Sequence, residues 1–149
     1  MSLAENLDFC AAGKFDAAIL NFWPYSNFGA ILTGYALQKA LDEMGVSNRL
    51  IWYMNRANGN HLAETFLQSH FKKFADRYMK YTPLLEDEEL ERLNEQTSCF
   101  IAGSDQIWRS TAQGKDKGVY YLSFAGDRAR KIACAASFGM ADFIGTEED

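Results

Sequence analysis

The sequence is poor in the residues that mark several large classes of protein. It has three cysteines, Cys10, Cys99 and Cys134, and none of them belongs to a CxxC pair. An odd number of widely spaced cysteines argues against a disulfide framework and suits a reducing compartment, so we expect a cytoplasmic protein. There are only two histidines, His61 and His70, and neither lies in an HExxH motif. We therefore expect no metal site.

The chain also lacks long runs of one chemical kind. No apolar run approaches the roughly twenty residues that span a bilayer, so we expect no transmembrane segment. The net charge is −5, and the longest basic run is Lys72-Lys73. Because nucleic-acid binding needs a concentrated basic surface, we expect no nucleic-acid partner. Hydrophobic residues make up 48% of the sequence and charged residues 23%, which indicates an ordinary folded domain.

A change in hydrophobic periodicity marks the first structural unit. The run from Ala17 to Phe22 is almost continuously apolar, which is typical of a strand buried on both faces. From Ala30 to Met44 the apolar residues recur every three or four positions, and Gly45 follows where a helix would end. A second apolar run at Arg49–Tyr53 completes a strand–helix–strand unit, which predicts a parallel sheet.

Later segments predict the rest of the domain. An apolar stripe from Leu62 to Met79 predicts a long helix that Pro83 breaks, and Asp87–Asn94 predicts a short helix. The apolar runs Cys99–Ala102 and Lys131–Ala136 predict a third and a fourth buried strand. The fold class expected from these patterns is an α/β domain with a parallel sheet and flanking helices.

Small and polar residues follow three of the four predicted strands. These loops are Ser26-Asn27-Phe28-Gly29, Gly103-Ser104-Asp105-Gln106 and Ser137-Phe138-Gly139. The carboxyl ends of parallel strands lie along one edge of the sheet, and ligands bind in the crevice outside that edge. The sequence therefore predicts a ligand-binding edge built from these three loops.

Each loop also has a purely structural interpretation. The first loop heads a helix whose free amides would favour an anion, but Asn27 could instead cap that helix, and the residues alone favour the cap. In the second loop, Asp105 could orient a sugar hydroxyl, act as a base or cap a turn, and Gln106 can both donate and accept. Trp108 could stack on a sugar ring, although a place in the core is favoured.

Several segments together resemble the polysaccharide pyruvyl transferase family. The resemblance runs in the same order from about Asp16 to Gly139, and its most specific part is the string Gly103-Ser104-Asp105-Gln106-Ile107-Trp108. The other segments that carry it are Ile19-Leu20-Asn21-Phe22, Asn27-Phe28-Gly29-Ala30, Tyr35-Ala36-Leu37-Gln38, Tyr121-Leu122-Ser123-Phe124 and Lys131 to Gly139.

The resemblance implies an architecture and a reaction. Family members are similar to GT-B-like glycosyltransferases, with two Rossmann-like halves and a cleft between them. Their characterised reaction transfers a pyruvyl group from phosphoenolpyruvate to a sugar, so the implied partners are phosphoenolpyruvate and a sugar or polysaccharide precursor, with no further cofactor. No catalytic acid or base is assigned. The residues implied to line the cleft are Ser26, Asn27, Gly29, Asp105, Gln106, Trp108, Ser137 and Gly139.

The expected organisation is a leader at residues 1–15 and an N-terminal Rossmann-like domain at 16–149. The ending Thr146-Glu147-Glu148-Asp149 is typical of a helix start. We therefore expect a longer protein whose C-terminal half carries much of the donor site, and an acidic tail is the alternative. An isolated half would expose the face that packs on its partner, so self-association is a further expectation. The alternative functions are a glycosyltransferase-like enzyme that uses a sugar nucleotide and a non-enzymatic sugar-binding or scaffold module.

Overall fold

Five parallel strands form the centre of the structure. The computed structural model describes residues 13–24, 27–53, 65–109 and 117–140. The strands lie in the order β3-β2-β1-β4-β5, and each neighbouring pair is parallel. Their bounds are β1 (Ala17–Leu20), β2 (Asn48–Tyr53), β3 (Tyr81–Leu85), β4 (Cys99–Ala102) and β5 (Arg130–Ala133).

Helices cover both faces of this sheet. They are α1 (Phe28–Glu43), α2 (His70–Tyr78), α3 (Asp87–Leu90), which a 3₁₀ helix (Glu91–Glu95) follows, and α4 (Lys117–Tyr120). Side chains of α1 and α2 pack in one buried cluster, and side chains of α3, the 3₁₀ helix and α4 pack in another. The prediction of a Rossmann-like parallel sheet with flanking helices is therefore confirmed.

The alternation of side chains along β1 explains why its sequence is continuously apolar. Ala17 and Ile19 belong to the cluster under α1 and α2, whereas Ala18 and Leu20 belong to the cluster on the opposite face. All four residues are almost completely buried. A strand with helices on both sides has no face for polar residues, so the prediction that this strand is buried on both faces is confirmed.

Pro83 lies inside a strand that the sequence did not predict. The register between β2 and β3 shifts between Leu50 and Trp52, at the level of Pro83. There the backbone N–H of Trp52 donates to Oγ1 of Thr82 at 2.9 Å, so a side-chain oxygen accepts this bond. β3 lies at the edge of the described sheet, so it pairs there with β2 on one side. Proline is tolerated in an edge strand because no partner on the open side needs the N–H that proline lacks.

The predicted long helix before Pro83 is wrong for the described residues. Residues 65–67 are helical, but α2 begins anew at His70. Ser69 caps it, since its hydroxyl accepts from the backbone N–H of Lys72 at 3.2 Å. Met79 is extended and Leu62 lies outside the described residues. Phe66, Ala75 and Met79 of the apolar stripe are buried, but Tyr78 is 47% exposed and Ser69 interrupts the helix.

The fourth predicted strand exists, but it is not buried. All four residues of β5 are exposed, and Ile132 keeps 38% of its surface. The strand lies at the sheet edge beside β4, and within the described ranges no helix packs over it. Apolar composition predicted a strand here, and it runs over Arg130–Ala133, whereas its burial depends on neighbours that composition does not specify.

The strand order reverses direction at β1. From β1 the chain passes through α1 to β2 on one side, whereas β4 pairs with β1 on the other side. In open α/β sheets a ligand crevice lies at this switch point, outside the carboxyl ends of the strands. The point falls between the loop that follows β1 and the loop that follows β4.

Candidate functional site

The first two predicted loops flank this switch point. The backbone N–H of Gly103, directly after β4, donates to the carbonyl oxygen of Leu20 at 2.8 Å. This bond holds the ends of β1 and β4 together just where the two loops diverge. Asn27 and Gly29 stand at the start of α1, and Ser26 lies outside the described residues.

Asn27 is the N-cap of α1. Its Oδ1 accepts from the backbone N–H groups of Gly29 at 2.8 Å and Ala30 at 3.3 Å. A Cβ on Gly29 would stand 3.2 Å from that oxygen, so glycine gives the cap its close approach. The capping interpretation is confirmed, and it means that two of the amides expected to attract an anion already have an acceptor.

Asn21, which we did not single out, occupies the end of β1. It is only 2% exposed, and its Oδ1 accepts from the backbone N–H of Trp23 at 3.1 Å. That bond fixes the orientation of the amide, so Nδ2 is a true donor, and it is buried with no hydrogen-bond acceptor among the described residues. Two glycines make room for it: a Cβ on Gly34 would lie 3.0 Å from Nδ2, and one on Gly103 would lie 3.1 Å from Cβ of Asn21. In the sequence, the position of Asn21 as a polar residue inside an apolar run could have indicated this buried amide.

Asp105 has a strained backbone at the centre of the second loop. Its φ is 139°, in a region that residues with a side chain rarely adopt. The side-chain Oδ1 accepts from the backbone N–H of Gln106 at 2.7 Å, which stabilises the turn. The other carboxylate oxygen makes no hydrogen bond within the described ranges. Asp105 thus holds the loop with one carboxylate oxygen, and its second oxygen is not engaged by the described residues.

The third loop is joined to the second by backbone hydrogen bonds. The N–H of Ser137 donates to the carbonyl oxygen of Asp105 at 2.9 Å, and the N–H of Trp108 donates to the carbonyl oxygen of Ser137 at 3.2 Å. Gly139 lies directly against the side chain of Gln106, because a Cβ there would stand 2.5 Å from both Cγ and Oε1. The two loops therefore form one continuous surface beyond β4 and β5.

Aromatic rings lie beside this surface. Trp108 packs partly buried against the core, and its Nε1 donates to the carbonyl oxygen of Tyr120 at 3.1 Å. Its ring stacks on Tyr121 with centroids 5.9 Å apart and contacts Phe138 at 5.7 Å. Tyr121 and Phe138 are 36% and 40% exposed. Aromatic faces of this kind suit both packing and contact with the apolar face of a sugar.

Arg109 is a second residue that we did not single out. It follows the specific string directly, and its Nη1 donates to Oε1 of Gln106 at 3.1 Å. Its Nε is buried and has no acceptor in the part of the chain that the structure describes. In the sequence, the position of Arg109 directly after the polar second loop could have indicated that it belongs to the candidate site.

The perturbed ionisable groups lie elsewhere. Burial raises the pKa of the Asp76 carboxyl, but hydrogen bonds from Lys72 and Tyr81 outweigh this effect, so the pKa falls below its ordinary value. Burial raises the pKa of Tyr81, which donates to Asp76. These residues pin α2 to β3, far from the switch point in strand order, and we interpret them as structural.

Metal sites and membrane-spanning helices are both absent from the described residues. No group of three or more His, Cys, Asp or Glu side chains among them could hold a metal ion. None of the described helices has the length and apolar character needed to cross a membrane.

Comparison with known proteins gives the family. The model of the family described as polysaccharide pyruvyl transferase matches residues 27–147, which is most of the chain and includes the second and third loops. No curated protein and no solved structure matches the chain at a significant level. On the strength of the family match, the chain belongs to the polysaccharide pyruvyl transferase family.

Proposed function

We propose that this chain forms one wall of the substrate cleft of an enzyme that transfers a pyruvyl group from phosphoenolpyruvate to a sugar of a surface polysaccharide. The observation that carries the proposal is the switch point between β1 and β4. The loop string Gly103 to Trp108 lies at that point in a chain of the pyruvyl transferase family. We further propose that the opposite wall comes from a second Rossmann-like half in a GT-B-like arrangement.

The chemistry of the proposed reaction sets what the cleft must supply. The methylene carbon of phosphoenolpyruvate takes up a proton, and C2 becomes an oxocarbenium-like centre. One sugar hydroxyl adds to C2 and loses its proton. The bond between C2 and the phosphate oxygen then breaks, phosphate leaves with the electron pair, and a second hydroxyl adds to C2 and loses its proton to close the cyclic ketal. The site therefore needs a general acid, a base and donors for the carboxylate and phosphate oxygens.

Asp105 and Gln106 are the residues of this wall best suited to hold the acceptor sugar. Asp105 has a carboxylate oxygen without a partner in the described ranges, which can accept from a sugar hydroxyl. Gln106 is exposed, and among the described residues its side chain is engaged through Oε1 alone, by Arg109. The Nε2 of Gln106 can therefore donate to a hydroxyl oxygen. Tyr121 and Phe138 offer exposed rings beside them.

The test of the reaction uses the natural full-length protein with phosphoenolpyruvate and a panel of acceptor sugars. We expect release of inorganic phosphate that depends on both substrates, with a ketal-linked pyruvyl group on the sugar by mass spectrometry. Release of a nucleoside diphosphate from a sugar nucleotide, with no phosphate from phosphoenolpyruvate, would establish the glycosyltransferase-like alternative. Binding of a sugar without any turnover would support the alternative of a non-enzymatic binding module.

Two substitutions test the wall itself. Asp105→Asn should lower the rate of phosphate release at least about tenfold, because the carboxylate oxygen is replaced by a donor. Asp127→Asn, in an exposed turn before β5, is the matched control and should keep the activity.

Asn27→Ala should lower stability by about 1 kcal/mol through loss of the cap, whereas Asn27→Ser keeps the cap. If Asn27 also contacts substrate, the serine variant stays stable but loses activity.

A further inference from the structure

Arg109 carries a charge that the described part of the protein does not neutralise. Its guanidinium makes one hydrogen bond there, from Nη1 to the neutral Oε1 of Gln106. No carboxylate of the described residues forms an ion pair with it. The residue is about half-buried, and its Nε is cut off from solvent without an acceptor.

This arrangement is unusual for an arginine. Removing a charged group from water is unfavourable unless it is paired, and an unsatisfied buried donor costs stability as well. Other cations show the usual solution, since Lys72 pairs with Asp76 at 2.5 Å and Lys80 with Asp42 at 2.6 Å. Arg109 instead presents unpaired N–H groups beside the second loop, at the carboxyl end of β4.

The side chain is also held in a defined orientation. Gln106 fixes Nη1, and Gln106 is itself confined by Gly139, which leaves no room for a Cβ. Because Nε is cut off from solvent, the Nη groups of the planar guanidinium are the donors that an oxyanion can reach, and their fixed plane suits charge-assisted hydrogen bonds.

We propose that Arg109 binds an oxyanion, a carboxylate or phosphate group, at the β4 end of the crevice. The identity of the anion rests on the proposed function: it belongs to phosphoenolpyruvate or to a phosphate-bearing acceptor sugar. The existence of the oxyanion site rests only on the guanidinium and its surroundings. Bound to phosphoenolpyruvate, Arg109 would supply one of the cationic donors that the proposed reaction requires; bound to an acceptor phosphate, it would position the sugar.

Binding without turnover tests this inference separately from the reaction. The thermal unfolding midpoint of the protein is measured against inorganic phosphate, phosphoenolpyruvate and glucose 1-phosphate, each titrated alone. A ligand that binds the folded state raises the midpoint as its concentration rises, so each titration gives an apparent affinity. Chloride at equal ionic strength controls for general salt effects. The absence of pyruvyl transfer in the activity assay would not affect this measurement.

Substitutions assign the binding to Arg109. Arg109→Gln should weaken the affinity on the order of tenfold to hundredfold, as expected for loss of charge-assisted hydrogen bonds. Arg109→Lys should keep part of it, because the charge remains but the planar fork is lost. Arg128→Gln removes the same charge from an exposed turn before the amino end of β5, and it should bind like the unaltered protein. Circular dichroism checks that each variant is folded.

The outcomes separate cleanly. Tighter binding of phosphoenolpyruvate than of glucose 1-phosphate, lost in Arg109→Gln, assigns the site to the donor, and the reverse order assigns it to the acceptor. If none of the three anions raises the midpoint, the inference is wrong. It is equally wrong if Arg109→Gln and Arg109→Lys bind as well as the unaltered protein, or if Arg128→Gln loses as much affinity as Arg109→Gln.

Discussion

Replacing Gly139 by alanine tests whether the second and third loops act as one unit. Gly139 has a φ of +67°, and an added Cβ would overlap the side chain of Gln106, at 2.5 Å from Cγ and Oε1. The substitution therefore strains the backbone and also displaces Gln106 from its bond with Arg109. Gly45 offers a matched control, because its φ is +76° and a Cβ there would meet nothing within 4 Å.

The two effects have separable magnitudes. An alanine in the left-handed region costs about 1–2 kcal/mol of stability, and this cost applies to both substitutions. Loss of the Gln106–Arg109 hydrogen bond adds about 1 kcal/mol for Gly139→Ala alone. The entropy that glycine has in the unfolded chain is the same in both cases and cancels in the comparison. We therefore expect Gly139→Ala to destabilise the protein by about 1 kcal/mol more than Gly45→Ala does.

Urea unfolding and NMR measure these two consequences independently. Urea midpoints give the difference in unfolding free energy, and the side-chain amide resonances of Gln106 report its displacement. Those resonances should shift in Gly139→Ala and stay unchanged in Gly45→Ala. Equal destabilisation by both substitutions, together with unmoved Gln106 resonances, would refute the contact between the two loops.

Two further predictions concern the parts of the fold that support the site. Trp23 is fully buried, and its Nε1 donates to the carbonyl oxygen of Ile51 at 2.8 Å. Trp23→Phe should therefore lower the free energy of unfolding, measured in urea, by about 2 kcal/mol. A loss under about 0.5 kcal/mol would mean that this bond contributes little. The Ser47 hydroxyl, and then its backbone N–H, donate to Asp16 and hold the pKa of that carboxyl below its ordinary value. A lowered folded-state pKa gives stability that is present above the unfolded value of about 4 and is lost as pH falls through the folded value. The stability gap between the unaltered protein and Ser47→Ala should thus narrow below about pH 4, and a gap that persists unchanged to pH 3 would contradict this account.

Local sequence patterns were enough to predict the helices and strands whose partners are near in sequence. The apolar run at Ala17–Leu20, the helical period of α1 and the apolar run of β2 predicted a parallel unit, because burial on both faces leaves a direct mark on composition. The cap at Asn27 was equally accessible, since its acceptor and donors lie within three residues. By contrast, Pro83 was interpreted only as the end of a helix, whereas the register shift and Thr82 make a strand possible there.

The sequence by itself determined the class of the fold, the family resemblance and the loops that end the strands. Those properties depend on composition and on order along the chain. Tertiary structure alone decided that the strand order reverses between β1 and β4, that Gly139 confines Gln106, and that the donors of Asn21 and Arg109 are buried without acceptors. These features join residues more than thirty positions apart or depend on how far a side chain is from water. No local periodicity encodes them, because they arise only when separate segments pack together.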